Sequence, residues 1–156
     1  MIIDRAKTED VPAITALLRQ VLEVHAKLRP DIFIPGTVKY GGDELRRIIE
    51  EGPEQVFVAK DGGGNTLGHL FAVFEETGGG NLYPRKTLYI DDICVDESAR
   101  GQGVATALYE FAVKFAKENG CYNITLNVWE GNDPAKSFYE KMGMFVRKTQ
   151  MEQILD

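Results

Sequence analysis

The spacing of apolar residues along the chain changes period several times, and each change marks an element. Ile2-Ile3-Asp4-Arg5-Ala6 predicts a first strand. Val11, Ile14, Leu17, Leu18 and Val21 then recur at helical spacing. Thr8 is suited to cap that helix, and Pro12 sits in its first turn, where a missing N–H costs little. From His25 to Gly42 the regularity breaks at Pro30, Pro35, Gly36, Gly41 and Gly42. Leu28, Phe33, Ile34 and Tyr40 make this stretch too apolar for a disordered linker, so it predicts a packed loop of the kind that lines binding sites. Asp43 to Glu51 predicts a short second helix ended by Gly52-Pro53.

Gln55 to Lys60 and Leu67 to Glu75 predict strands joined by a hairpin at Asp61-Gly62-Gly63-Gly64-Asn65. The glycines at 78–80 lead into a further strand, Thr87 to Val95. A polar loop follows, and Gly101 and Gly103 turn the chain into a helix with Val104, Leu108, Phe111 and Phe115 on its core side and Asn119-Gly120 as its stop. Tyr122, Ile124, Leu126 and Val128 alternate with polar residues, which predicts a half-buried fifth strand. Asp133 can cap a last helix with Pro134 at its first position and Gly143 at its end, and Phe145 to Ile154 is expected to hold the last strand or strands. Three antiparallel strands followed by strand–helix–strand predict an α+β fold with a mixed sheet, one domain over residues 1–156.

Composition narrows the function classes. A net charge of −6 argues against nucleic-acid binding, and no apolar run approaches membrane-spanning length. The first residues lack the basic start and apolar stretch of a signal peptide, so a cytoplasmic location is expected. Cys94 and Cys121 form no metal-ligand spacing with His25 or His69, and buried reduced thiols are the expectation.

The strand-to-helix turn at Asp96–Thr106 is the candidate site. Glycines there admit a ligand close to the backbone, and the first N–H groups of the helix are free to bind an anion. A nucleotide P-loop needs G-x-x-x-x-G-K-S/T, which is absent. A dinucleotide turn needs G-x-G-x-x-G/A directly after its strand; here Thr106 holds the last position, and five residues separate Val95 from Gly101.

Arg100-x-x-Gly103-x-Ala105 resembles the Q/R-x-x-G-x-G/A pyrophosphate-binding motif of the GNAT family of N-acetyltransferases. Downstream, Leu126-x-Val128, Asn132, Ala135, Phe138-Tyr139 and Gly143 are similar to the family's closing motif, so the matched segments cover about residues 87–145. Tyr89-Ile-Asp-Asp-Ile-Cys-Val is similar to the L-E-D-I-x-V strand of polyamine (spermidine/spermine) acetyltransferases, with Asp91 where those enzymes carry glutamate. The resemblance implies a sheet splayed between its fourth and fifth strands, with acetyl-CoA bound in the opening. Backbone groups of Ile93, Cys94 and Val95 would meet the pantetheine arm. Arg100, Gly101, Gln102, Gly103, Val104, Ala105 and Thr106 would hold the pyrophosphate, with Asn132 and Ser137 near the cofactor.

Phe138 and Met142, at i and i+4, should face the core together and turn Tyr139 toward the groove, where its phenol can protonate the departing thiolate. A carboxylate must accept the proton of an amine whose pKa is about 10.4. Asp91 is that base by its match to the family glutamate, directly or through water, and Asp92 is assigned to the acceptor side with Arg29 and Phe33. Strand alternation sends Asp91 and Asp92 to opposite faces unless a bulge, common next to active sites, changes the parity. The expected reaction is acetyl transfer to a primary amine, on a small molecule or a peptide, with no covalent enzyme intermediate and no metal. A non-catalytic acyl-CoA sensor is the alternative, and the family resemblance implies a homodimer.

Overall fold

The computed structural model describes residues 1–155 and shows one five-stranded sheet in the order β1-β2-β3-β4-β5. The strands are β1 (Ile2–Arg5), β2 (Gln55–Lys60), β3 (Thr66–Gly79), β4 (Leu82–Val95) and β5 (Asn123–Thr125). β1 to β4 pair antiparallel, and β4 and β5 pair parallel, so the sheet is mixed as the alternation of elements predicts. Helices α1 (Val11–Leu28) and α2 (Gly42–Glu51) cover one face and α3 (Val104–Glu118) the other, while α4 (Asp133–Lys141) follows β5.

Two apolar layers result. Phe71, Val56 and Val58 meet Val11, Ile14, Leu18 and Leu45 on the α1 side. Phe57, Leu70, Leu88 and Ile90 meet Val104, Leu108, Ala112 and Ala116 on the α3 side. The Phe57 ring packs edge-on against Phe111 and Phe115 at 4.7 and 5.1 Å, so the helical spacing of those phenylalanines does mark the core side of α3.

Several boundaries depart from the sequence pattern. Thr8 opens a single 3₁₀ turn rather than capping α1; the carboxylate of Asp10 accepts the Lys7 amide at 2.8 Å and pairs with Lys60 at 2.6 Å. α1 continues past His25 to Leu28, because Leu22 to Leu28 contains no helix breaker and the restriction comes at Arg29, before Pro30. Asn132, and not Asp133, caps α4: its side chain accepts from the Ala135 amide at 3.4 Å. β5 shrinks from the expected Tyr122–Val128 to three residues. Phe145 to Ile154 forms no strand. A strand exists only where a neighbour takes its N–H and C=O groups, and among the described residues no backbone hydrogen bond reaches 145–155.

Gly68 fixes how closely α3 approaches the sheet. A Cβ there would lie 2.6 Å from the Cys94 carbonyl oxygen and 3.2–3.3 Å from Leu108 and Val104. Gly68→Ala should therefore lower the melting temperature by roughly 2–10 °C, from an overpacking cost of about 1–3 kcal/mol. An unchanged thermal melt would show slack between β3 and the start of α3.

Candidate active site

The site forms where β4 and β5 part. They pair at Thr87–Tyr89 with Asn123–Thr125, so among the described residues no strand pairs with Ile90–Val95 on that edge. At the fork the Tyr89 hydroxyl accepts from Asn127 Nδ2 at 3.2 Å. A β-bulge lies just beyond. Phe71 pairs with Asp92 and Ala72 with Ile90, which leaves Asp91 without a counterpart on β3.

The extra residue moves the alternation by one. Leu88 and Ile90 face α3 before it, and Ile93 and Val95 face α3 after it. Asp92 and Cys94 face α1. Asp91 and Asp92 therefore do not go to opposite faces: Asp91 pairs with Lys39 of the α1–α2 loop, and Asp92 with His69 on the same side. His69 is fully buried, with Nε2 2.5 Å from Asp92 Oδ2 and with Nδ1 unpartnered. With its proton on Nε2 the ring donates to Asp92 Oδ2, and only a bare ring nitrogen is left buried.

Tyr139 stands on α4, half-buried between the rings of Phe138 (5.1 Å) and Tyr109 (6.1 Å). Burial first, and then the negative charge of Asp92, holds its phenol well above the ordinary tyrosine range, so it stays a proton donor. Phe138 and Met142 pack against the core as their i, i+4 spacing predicts, and Tyr139 joins them at the edge of that cluster. Cys94 is buried, its thiol donating to the Leu17 carbonyl at 3.4 Å. Burial and then Asp92 push that thiol up to about 12, so although His69 and Cys94 are register partners they form no thiolate nucleophile.

The loop after β4 runs through a 3₁₀ turn at Glu97–Ala99, whose Asp96 cap accepts the Ser98 amide at 2.9 Å and Gln20 Nε2 at 3.0 Å. Gly101 and Gly103 follow with φ of +75° and +79°, a conformation side chains resist, and open space lies where their Cβ atoms would be. Among the described residues, the amides of Gly101, Gln102 and Gly103 have no acceptor. With the first turn of α3 and the exposed Arg100 they gather N–H donors and one cation at a single turn, the arrangement that suits an anion. Val104 is buried, so its side chain is core and only its amide faces the turn. Ser137 lies exposed with Asp133, Lys136 and Glu140 on the outer face of α4.

On the α1 side, Phe33 sits between His25 and Trp129, with ring centroids 5.1 and 5.4 Å away. Arg29 pairs with Asp31 and Glu152 and lies 6.0 Å from the Trp129 ring. Burial lowers the His25 pKa more than Asp92 raises it, so His25 is neutral near pH 7. His25 and Lys39 fall within the His25–Gly42 stretch expected to line a binding site, whereas nothing in the sequence singles out His69 or Trp129 for this cluster. Exchanging Arg29 and Phe33 together for alanine should raise the acceptor KM at least tenfold while the acetyl-CoA KM moves little. Equal damage to both constants, with a lower melting temperature, would make this cluster packing alone.

The acetyltransferase (GNAT) family model matches residues 15–144. Among curated relatives, glucosamine 6-phosphate N-acetyltransferase of Arabidopsis thaliana is 35% identical over 71 residues, 46% of each chain. GCN5-related N-acetyltransferase 6, chloroplastic, of the same plant is 35% identical over 68 residues, 44% of this chain and 24% of that protein. The chain thus spans less than half the length of these curated relatives. A crystal structure of a mutant BH1408 protein from Bacillus halodurans superposes with a TM-score of 0.93 at 31% identity, over 99% of both chains. Glucosamine-6-phosphate N-acetyltransferase from Arabidopsis thaliana shares the fold at a TM-score of 0.67 and 23% identity, over 99% of this chain and 98% of that one. A sheet that forks after Tyr89, a glycine turn with idle amides at the head of α3, and a family match running from α1 to Met144 converge on one conclusion: the chain belongs to the GNAT acetyltransferase family.

Proposed function

We propose that this chain transfers an acetyl group from acetyl-CoA to a primary amine, directly and within a ternary complex, as a homodimer. The observation that carries this reading is the fork between β4 and β5, with an unpaired strand edge on one side and the anion cradle of Arg100–Thr106 at its end. Backbone groups of Ile93 to Val95 would take the pantetheine arm as an added strand, with Asn132 contributing from the opposite side. The idle amides of Gly101–Gly103 and the Arg100 guanidinium would hold the pyrophosphate. Bound acetyl-CoA supplies the activated acetyl group; this chain's residues bind it, orient the amine and move two protons.

Tyr139 gives the leaving sulfur its proton. For the amine's proton, Asp92 is favoured over Asp91, the position matched to the family glutamate. Asp91 is taken up by Lys39, whereas Asp92 is held on one oxygen by His69 and acts electrostatically on both Tyr139 and His25. Asp91 with Lys39 would then order the α1–α2 loop over the acceptor. The acceptor proposed is a small-molecule or peptide amine. Relatives are named for glucosamine 6-phosphate, and one fold neighbour is an aminoglycoside acetyltransferase in complex with sisomicin, which favours small amines.

Release of free CoA thiol tests the reading, with polyamines, amino sugars, aminoglycosides and peptide N-termini supplied in turn. No release with any of them, alongside a thermal shift from acetyl-CoA, would favour the sensor. The carboxylates separate in the same assay. Asp92→Asn should cost kcat most at low pH, where the amine is overwhelmingly protonated, with the loss shrinking as pH nears the amine's own pKa. Asp91→Asn should chiefly raise the acceptor KM. The reverse pattern returns the base role to Asp91.

A further inference from the structure

Asp10, Thr87 and His69 are buried polar residues. Asp10 is satisfied by Lys60 and the Lys7 amide, and the Thr87 hydroxyl donates to Asn123 Oδ1 at 2.6 Å. His69 is different. Its Nε2 meets Asp92 Oδ2, but Nδ1 is buried with no partner among the described residues. A buried polar atom left unpaired carries a desolvation cost that a leucine or phenylalanine in the same space would not. Phe71 and the rest of the α1-side layer are apolar, so an imidazole is a poor filler there. What it adds over an apolar side chain is the Nε2 donor.

The sheet aims that donor. His69 lies opposite Cys94 and Phe71 opposite Asp92, so the ring reaches Asp92 diagonally across the β3–β4 ladder. The Phe71 ring meets it edge-on, at 79° with centroids 5.0 Å apart, which restrains the imidazole plane. Only Oδ2 of Asp92 is engaged; no hydrogen bond among the described residues reaches Oδ1, and the side chain is 14% exposed. Lys39 is the competing cation. It pairs with Asp91 and also feels the charge of Asp92, so a carboxylate free to turn would swing toward it.

We propose that His69 is a positioning residue for acetyl transfer: its Nε2–H holds Asp92 Oδ2, keeps the carboxylate from turning to Lys39, and leaves Oδ1 for the acceptor amine. This rests on the assignment of the base to Asp92. The amine nitrogen bonds to the acetyl carbon as the C–S bond breaks, its proton goes to Oδ1, and Tyr139 protonates the sulfur. His69 does not pass the amine's proton on. A relay needs a partner on both ring nitrogens, and no described residue meets Nδ1.

Turnover at pH 7 is read as free CoA thiol, with spermidine, glucosamine and kanamycin as acceptors. His69→Phe keeps a ring of similar size and removes the donor. It should lower kcat about 100-fold, the cost of a misplaced reacting group, with the acetyl-CoA KM and the melting temperature near wild type. His69→Leu should behave alike, which separates loss of the donor from an ill-fitting ring. His69→Gln, whose Nε2 can reach the same carboxylate, should recover most of the loss. In an Asp92→Asn background, His69→Phe should cost nothing further, since it acts through Asp92. Nitrogen-15 spectra of the histidine rings give a readout without turnover: His69 should carry its proton on Nε2 with Nδ1 bare. Full kcat in His69→Phe overturns the proposal, as does an equal loss in both backgrounds, a loss that glutamine leaves in place, or a bare Nε2. An Asp92→Asn enzyme with full kcat takes the base from Asp92 and the role of His69 with it. An impaired Asp92→Asn beside a fully active His69→Phe strikes His69 alone, and no turnover with any of the three amines ends both readings.

Discussion

Replacing Tyr139 with phenylalanine should lower kcat by roughly 10²–10⁴, the range of general-acid catalysis, with little change in affinity for acetyl-CoA. The ring stays, so its contacts with Tyr109 and Phe138 stay, and only the hydroxyl proposed to meet the leaving sulfur is lost. The direction of the pKa shift makes a second reading possible. Because burial raises the phenol's pKa, the wild-type enzyme should keep its donor through pH 10, where a free tyrosine is half ionised. The sign for stability follows: above pH 10 the unfolded chain loses this proton more readily than the folded one, so Tyr139 should make folding less favourable as pH rises there. Stability profiles of wild type and Tyr139→Phe should diverge only in that window. A phenylalanine variant with full kcat would hand the acid role to water.

Gly103→Glu should abolish measurable CoA binding in a protein that remains folded. No neighbour lies within 4 Å of the Cβ that would be added, so the change meets no packed atoms in the fold. It does place a side chain on a backbone at φ +79°, a strain of about 1–2 kcal/mol, which a well-folded domain tolerates. Its main effect is a carboxylate aimed into a cradle built from idle amides and one guanidinium. Calorimetric titration with CoA checks the loss, and circular dichroism checks the fold. Retained affinity would move the pyrophosphate away from this turn. Gly103→Ala separates strain from charge: it should weaken binding far less.

The parts of this site that lie along one strand or one turn could be read before the fold was known. Arg100, Gly101 and Gly103 carry their meaning in spacing alone, because one short turn brings them together. The i, i+4 pair Phe138 and Met142 does face the core, but Tyr139, expected to turn away from it toward the groove, packs against the same cluster. What stayed hidden depends on contacts between distant segments. Lys39 reaches Asp91 across fifty-odd positions of sequence, and His69 meets Asp92 only because β3 and β4 are neighbours. His69 also sits in an apolar run, Leu67 to Phe74, where a histidine looks like core. Nothing in Phe145 to Ile154 distinguishes a strand paired within the chain from one that finds no edge there.

The unpaired Asp91 is an extra residue in an otherwise continuous ladder: Ile90 and Asp92 meet Ala72 and Phe71, which are neighbours on β3. Deleting Asp91 would close the bulge and leave Asp92 and Cys94 on the α1 side, with Ile93 and Val95 still toward α3. What the deletion removes is the second carboxylate on that side, the partner of Lys39. The bulge therefore adds a charged group to the α1 face at this one point without turning over the strand beyond it.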